Sequence, residues 1–264
     1  MKQVGVIGAG VMGEALIAAL ISYGVSPQSI VISEKRKDRA EELTARYGIR
    51  VADLSANVEK ADALLLVVKP QDMAAVLEEI KGSINTSAVV ITFAAGKKIS
   101  FIEAGLGTSN PVVRVMPNTP TMVGAGMAAA SLGVGVTADQ SAFVMGFLGA
   151  TGKVIQVSED LQDAVTATSG SGPAYFFRFV EAMVAGAKEL GLSEADATTL
   201  TVQTIVGAAK LLDESGKSAT TLRENVTSPN GTTAAALASF ESDQIGDVIA
   251  SAMKAARNRS QELA

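Results

Sequence analysis

Val4-Gly5-Val6-Ile7-Gly8-Ala9-Gly10-Val11-Met12-Gly13-Glu14-Ala15-Leu16-Ile17-Ala18-Ala19-Leu20 is the stretch that decides the fold. Val4, Val6 and Ile7 form a short run of buried-strand character, and residues 14–20 are strong helix formers. The turn joining them has the spacing Gly-x-Gly-x-x-Gly. In that setting Gly8 permits a tight turn, Gly10 lets a pyrophosphate approach the backbone, and Gly13 lets helix and strand pack closely. Glycine-rich turns are common, and it is the place after a strand and before a helix that makes this one specific. The expectation is an α/β doubly wound sheet of Rossmann type that binds a dinucleotide.

The chain keeps this alternation for its first 158 residues. Strand 30–33 ends at Ser33, and Glu34 follows about twenty residues after Gly13, where an acidic residue grips a ribose diol. Lys35, Arg36 and Arg39 come next, and cations there suit a ribose 2′-phosphate. Ser33 with this basic trio tilts the reading toward NADP(H), while Glu34 keeps NAD(H) open. Lys37 and Arg39 also fit a solvated charge run opening a helix over 38–47. Residues 63–68 and 88–93 are continuous apolar runs, the pattern of parallel strands covered on both faces. They stop at Lys69-Pro70 and at Ala94-Ala95-Gly96, and residues 112–115 stop at Met116-Pro117-Asn118-Thr119-Pro120. Three such loops at strand C-terminal ends form a rim, where doubly wound sheets bind ligands. Segments 126–131 and 153–157 are weaker strands, placed at the edge of the same sheet.

From Glu159 the texture becomes Ala-rich and helical, which sets the expected division at 1–158 and 159–264. Ser169-Gly170-Ser171-Gly172-Pro173 opens a helix with Pro173 at its first position. Phe176, Phe179, Val180, Met183, Ala187 and Leu190 recur on one face of it, and Gly191 ends it. Ser193-Glu194-Ala195-Asp196 reads as a capping box for a helix to about Leu212. Its apolar positions spread widely round the helix, so these helices need neighbours, and a homodimer is expected. A last helix over 244–261 carries Lys254, Arg257 and Arg259 as a solvated outer layer. Ahead of it lies Val226-Thr227-Ser228-Pro229-Asn230-Gly231-Thr232-Thr233, an island of hydroxyls before an Ala-rich helix. Thr232 or Thr233 is the expected N-cap. Hydroxyl donors around an uncompensated helix N-terminus suit a carboxylate better than a metal or a nucleic acid.

Composition removes most other chemistry. With no His and no Cys in 264 residues there is no Ser-His or Cys-His nucleophile, no imidazole proton shuttle and no His/Cys zinc site. Catalysis falls to carboxylates, Lys, Tyr, hydroxyls, backbone donors, water or a cofactor. Lys and Arg number 22 against 27 Asp and Glu, and no basic stripe stands out, so nucleic acid is not an expected partner. No apolar run reaches the roughly 18 residues of a spanning helix. Met1-Lys2-Gln3 leads into a strand without a leader pattern, and the expectation is a cytoplasmic protein without a membrane partner.

Several of these segments together resemble pyrroline-5-carboxylate reductases. They are Gly8-Ala9-Gly10-Val11-Met12-Gly13, Val68-Lys69-Pro70, Met116-Pro117-Asn118-Thr119-Pro120, Ser169-Gly170-Ser171-Gly172-Pro173-Ala174-Tyr175 and the 226–233 island. They occur in the family's order over essentially the whole chain. Asn230 stands where the family usually has Gly, and Asn tolerates positive φ. Glu34 departs from the more neutral loop of NADPH-preferring members. The resemblance implies hydride transfer from NAD(P)H to the C=N carbon of 1-pyrroline-5-carboxylate, a cyclic imino acid, giving L-proline in the last step of its synthesis. It implies a Rossmann domain, an all-α dimerisation domain, and dimers assembled into larger rings such as decamers.

By residue matching, the resemblance puts Ile7, Gly8, Ala9, Gly10, Val11, Met12, Ser33, Asn57, Val67, Val68, Lys69, Pro70, Phe93, Ala94, Ala95 and Asn225 at the cofactor. To these the residues' own positions add Lys35, Arg36, Asn118 in the rim and Glu159 at the domain junction. Ser228, Gly231, Thr232 and Thr233 match the substrate positions, and the chemistry asks for a hydroxyl donor such as Thr233, the catalytic candidate, or a water beside it, to hold the ring nitrogen. No metal is called for. Tyr175 and Glu181 read as packing and as a polar helix contact. Two rivals are a β-hydroxyacid dehydrogenase, which needs a Lys on the first helix of its second domain, and a non-catalytic coenzyme-sensing module. Helix 173–190 offers the first of these only Lys188, and the second leaves the hydroxyl island without a task.

Overall fold

The structure, a computed structural model, describes residues 1–263 and divides into two compact units. One comprises Met1–Pro173 together with the chain from Ala255 onward, and the other is Ala174–Lys254.

The first unit is built on one eight-stranded sheet in the order β3-β2-β1-β4-β5-β6-β7-β8. Its strands are β1 (Val4–Ile7), β2 (Ile30–Ser33), β3 (Arg50–Val51), β4 (Ala63–Leu66), β5 (Val89–Thr92), β6 (Val112–Met116), β7 (Gly126–Leu132) and β8 (Gly152–Gln156). All neighbours pair in parallel except β6 with β7. The apolar runs become strands because both faces are covered. Val6, Ile32, Leu65 and Ile91 pack on one side with Leu16, Leu20 and Phe147. Leu64, Leu66, Val90 and Val112 pack on the other with Leu77, Ile80 and Ile102. Alternate residues thus feed two separate cores, each buried Leu or Ile contributing about 1.5–3 kcal/mol.

β1 lies at the point where the chain, having wound outward through β2 and β3, returns to lay down β4 on its other side. The ends of β1 and β4 therefore flank a crevice at a topological switch point. Both weak sequence assignments at 126–131 and 153–157 are strands of this sheet, as expected. Helix α1 is Val11–Ser22, α2 is Lys37–Tyr47, α3 is Leu54–Lys60, α4 is Met73–Ile80, α5 is Ile99–Leu106 and α6 is Ala138–Gly149. The sequence reading passed over α6, although Thr137 and Gln140 form a complete capping box there.

The switch to helical texture at 159 does not end the first unit. α7 (Gln162–Val165) runs through a π-helical turn at Thr166–Gly170 into α8 (Gly172–Glu189), without the break expected before Pro173. Proline cannot donate to the carbonyl four residues back. The Asn118 amide does so instead, donating through Nδ2 to Ser169 O at 3.1 Å while its Oδ1 accepts from Met127 N at 2.8 Å.

The second unit consists of helices. After α8 come α9 (Glu194–Glu214), α10 (Ala219–Asn225), α11 (Thr232–Ser242) and α12 (Ile245–Glu262). Gly191 closes α8 at φ +100, with Leu192 N bonded to Ala187 O, as expected of a C′ glycine. Ser193 caps α9 by accepting from Asp196 N, and the Asp196 carboxylate accepts from the Ser193 hydroxyl. Phe176, Phe177, Leu190, Val206 and Val248 are exposed within this chain. The end of α12 corrects one expectation. Lys254, Arg257 and Arg259 do face solvent, but Ser260 is buried in the first unit and donates to Asp163 Oδ1 at 2.7 Å. Among the described residues, no helix is long and apolar enough to cross a membrane.

Candidate coenzyme and substrate sites

A groove of about 450 Å³ runs along the C-terminal ends of β1, β2 and β4. Ile7, Gly8, Gly10, Ser33, Lys35, Val67, Val68 and Lys69 line it, all named from the sequence. Ala52, Asp53 and Leu54 from the turn into α3, and Asp72, Val76 and Glu79 from α4 and the turn before it, were not. They follow a two-residue strand and a one-turn 3-10 helix, neither long enough to leave a periodic signal.

The three glycines differ in what fixes them. A Cβ on Gly8, whose φ is +86, would lie 2.7 Å from Val67 O, and one on Gly13 would lie 2.4 Å from Gly8 O. Both are therefore demanded by the protein's own packing. A Cβ on Gly10 would meet nothing within 4 Å. Gly10 is also the N-cap of α1, and no side chain caps that helix. The first amides of α1 are left facing an open space that only a glycine leaves clear, the arrangement that holds a pyrophosphate.

Around this cradle the charges are arranged by hydrogen bonding. Glu34 Oε2 accepts from Ala9 N at 2.8 Å and Oε1 from Arg36 N at 3.0 Å. Arg39 is not the solvated charge of the sequence reading. Its Nε donates to Ala9 O at 3.1 Å, and it pairs with Glu14 of α1 and with Glu42, its side chain only 13% exposed. Arg46 and the Tyr47 hydroxyl also donate to Glu14. Burial pushes the Glu14 carboxyl up, but donation from Arg39, Tyr47 and Arg46 outweighs it and holds the group below its ordinary value. Arg36 turns away to Asp38 at 2.6 Å in an exposed pair.

Other expected cofactor residues are engaged by the protein itself. Asn57 is fully buried and donates to Val31 O and to Ser33 Oγ, so it sets the Ser33 hydroxyl rather than lining the groove. Asn118 joins β7 to the π-helical turn, as described. Glu159 accepts from Ile99 N at 2.7 Å and from Arg114 at 3.4 Å, and Asp163 takes the other side of that buried guanidinium at 3.5 Å. Phe93 and Ala94 are buried, with Ala95 half-buried beyond them. Gly96 has φ +77, and a Cβ there would lie 2.7 Å from Leu263. Ala9 is buried, Val11 is exposed, Met12 and Pro70 are half-buried, and these four are not among the residues that line the groove. Asn225 is the exposed last residue of α10 in the second unit.

In the second unit, the 228–233 island is a β-turn closed by Gly231 N donating to Ser228 O at 3.0 Å. Pro229 occupies its second position and Asn230 its third, at φ +58. Asn230 does take the positive φ for which the family's usual Gly is suited. The N-cap of α11 is Gly231 rather than either threonine, and no side chain caps the helix. Ser228 Oγ lies where it would be 2.4 Å from a Cβ on residue 231, leaving no room for the side chain of a capping Ser or Thr. Thr232 and Thr233 are thus the first two helical residues, and their N–H groups with that of Ala234 have no partner within the helix. In the same unit, Glu181 pairs with Arg178 on its own helix and Lys188 with Glu194 at 3.0 Å.

A parallel sheet with a glycine cradle at its switch point defines the first unit as that of a nicotinamide-dinucleotide oxidoreductase. In keeping with this, residues 3–96 match the family model for NADP oxidoreductase, coenzyme F420-dependent. Residues 159–263 match that for pyrroline-5-carboxylate reductase dimerisation. The chain belongs to the pyrroline-5-carboxylate reductase family. It is 42% identical to the pyrroline-5-carboxylate reductase of Corynebacterium melassecola over 100% of this chain and 99% of that one. With that of Synechocystis it shares 40% over 99% and 98%. The structure of a pyrroline-5-carboxylate reductase from Coxiella burnetii superposes with a TM-score of 0.92 at 36% identity, covering 100% and 98% of the two chains. A Plasmodium falciparum pyrroline carboxylate reductase with NADP bound gives 0.89 at 27%, covering 99% and 98%.

Proposed function

We propose that this chain reduces 1-pyrroline-5-carboxylate to L-proline with NAD(P)H, the last step of proline biosynthesis. The observation that carries the reading is the Ser228–Gly231 turn feeding an uncapped helix, in a family member without His or Cys. The sheet-bearing unit holds the coenzyme, and the helical unit Ala174–Lys254 dimerises and takes the imino acid. The α1 amides beside Gly10 would hold the coenzyme's pyrophosphate. A bound reduced nicotinamide supplies the hydride.

The chain's own residues bind and orient. The amides of Thr232, Thr233 and Ala234, with the Ser228 hydroxyl, hold the substrate carboxylate at the positive end of α11. Reduction of a cyclic imine forms one C–H bond and returns the C=N π pair to nitrogen, which already carries its proton in the iminium form. No strong general acid is needed, which suits a chain without imidazole. The iminium N–H donates to the Thr233 hydroxyl oxygen or to a water beside it. The exposed apolar side chains of the helical unit form the homodimer, and dimers gather into a decamer in the cytoplasm. The lysine needed for hydroxyacid oxidation is missing, since Lys188 lies near the C-terminal end of α8 in an ion pair.

Oxidation of reduced coenzyme is to be followed with racemic pyrroline-5-carboxylate and without it, and reduction of oxidised coenzyme with a 3-hydroxy acid. Only the first should give turnover, and activity on the hydroxy acid alone would sink the reading. Thr233→Ala should lower kcat/KM by roughly 10–1000-fold, about 1.4–4 kcal/mol of transition-state stabilisation. Kinetics equal to wild type would remove Thr233 from the mechanism.

A further inference from the structure

We propose that Glu34 makes this chain select the coenzyme with a free ribose 2′-hydroxyl, NAD(H), over its 2′-phosphorylated counterpart. The inference rests on the coenzyme reading above and reverses the preference that the basic trio alone suggested. Glu34 lines the groove at the end of β2, and its carboxylate is held by backbone donors from both sides, Ala9 N at 2.8 Å and Arg36 N at 3.0 Å. A carboxylate has about four acceptor positions, so lone pairs remain for a hydroxyl donor. It has nothing to donate to a phosphate, and it repels a dianion.

The neighbouring cations do not offset this. Arg39 is fixed on Ala9 O, Glu14 and Glu42. Arg36 is turned to Asp38, leaving Lys35 as the cation of the trio that lines the groove. The lining as a whole holds four carboxylates, Glu34, Asp53, Asp72 and Glu79, against two ammonium groups, Lys35 and Lys69. An added phosphate therefore enters a region of its own sign, while a hydroxyl finds a preformed acceptor.

Calorimetric titration of the full chain with ADP-ribose and with 2′-phospho-ADP-ribose tests this without nicotinamide or imino acid. The wild type should bind ADP-ribose at least about 10-fold more tightly, a difference of about 1.4 kcal/mol. Glu34→Gln removes the charge but keeps an oxygen acceptor, and should bring the two affinities within about 3-fold. Equal or tighter binding of the phosphorylated fragment by wild type overturns the proposal. So does an unchanged ratio in folded Glu34→Gln. Should that variant fail to fold, the wild-type ratio decides alone. Loss of imine reduction with the ratio intact would count against the activity and leave the selectivity standing.

Discussion

Gly10 and Gly13 occupy one turn, and alanine should fail at the two positions for opposite reasons. At Gly13 the new Cβ would lie 2.4 Å from Gly8 O, where real contacts stay above 3.0 Å. Helix α1 would have to shift by about 0.6 Å against backbone, the difference between these values. Overpacking of this kind costs about 1–3 kcal/mol, more than the 0.5–1 kcal/mol that alanine ordinarily gains inside a helix. At Gly10 the Cβ meets nothing, and φ −65 with ψ −162 is open to alanine. Gly10→Ala should therefore be as stable as wild type, or more so by about 0.4–1 kcal/mol. Its defect should appear only with ligand. ADP-ribose at 100 times the wild-type Kd stabilises by about 2.7 kcal/mol, and a 10-fold loss of affinity cuts this to about 1.4 kcal/mol. Thermal unfolding with and without ADP-ribose measures both quantities. A full ligand-induced rise in Gly10→Ala, or an unperturbed Tm in Gly13→Ala, would refute the division of labour drawn between these glycines.

Two further substitutions test the framework around the groove. Glu14→Gln removes the charge and one of the two acceptor oxygens shared by Arg39, Arg46 and Tyr47, and should cost about 1–3 kcal/mol at neutral pH. Because Glu14 titrates below its ordinary 4.5 in the folded chain, its contribution is present above that pH and lost as pH falls through the lower folded value. Urea midpoints of wild type and variant should therefore converge in acid, and a gap as wide at pH 3 as at pH 7 would show that charge is not its source. Asn118→Ala strands the Met127 N–H and the Ser169 carbonyl, and should lower unfolding free energy by about 1–3 kcal/mol in denaturant titrations. A loss below about 0.5 kcal/mol would mean that neither group depends on the amide.

What could be read from sequence follows from how local each feature is. The β1–α1 turn was legible because strand, glycines and helix are consecutive and the contact that fixes Gly13 lies within them, although the one on Gly8 comes from Val67. Asn230 was legible for the same reason, its positive φ being a property of one turn. The bonds from Asn57 to Ser33, from Asn118 to Ser169 and from Ile99 to Glu159 were not, since the partners lie 24 to 60 residues apart. Sequence position placed these residues near the crevice but could not tell an amide facing a ligand from one facing a carbonyl. Arg39 was misjudged because helix position alone does not reveal that Glu14, 25 residues earlier, comes to lie beside it. The cap of α11, expected at Thr232 or Thr233, was misplaced by one or two residues because Ser228 folds back over Gly231.

Asp163, Ser260 and Leu263 carry one more consequence. The sheet-bearing unit is discontinuous in the chain, and the helical unit is inserted before its final residues. During synthesis the loop at Gly96 and the Asp163 carboxylate wait for residues 260–263, which follow the whole helical unit. A fragment cut at residue 173 would lack its own closing piece.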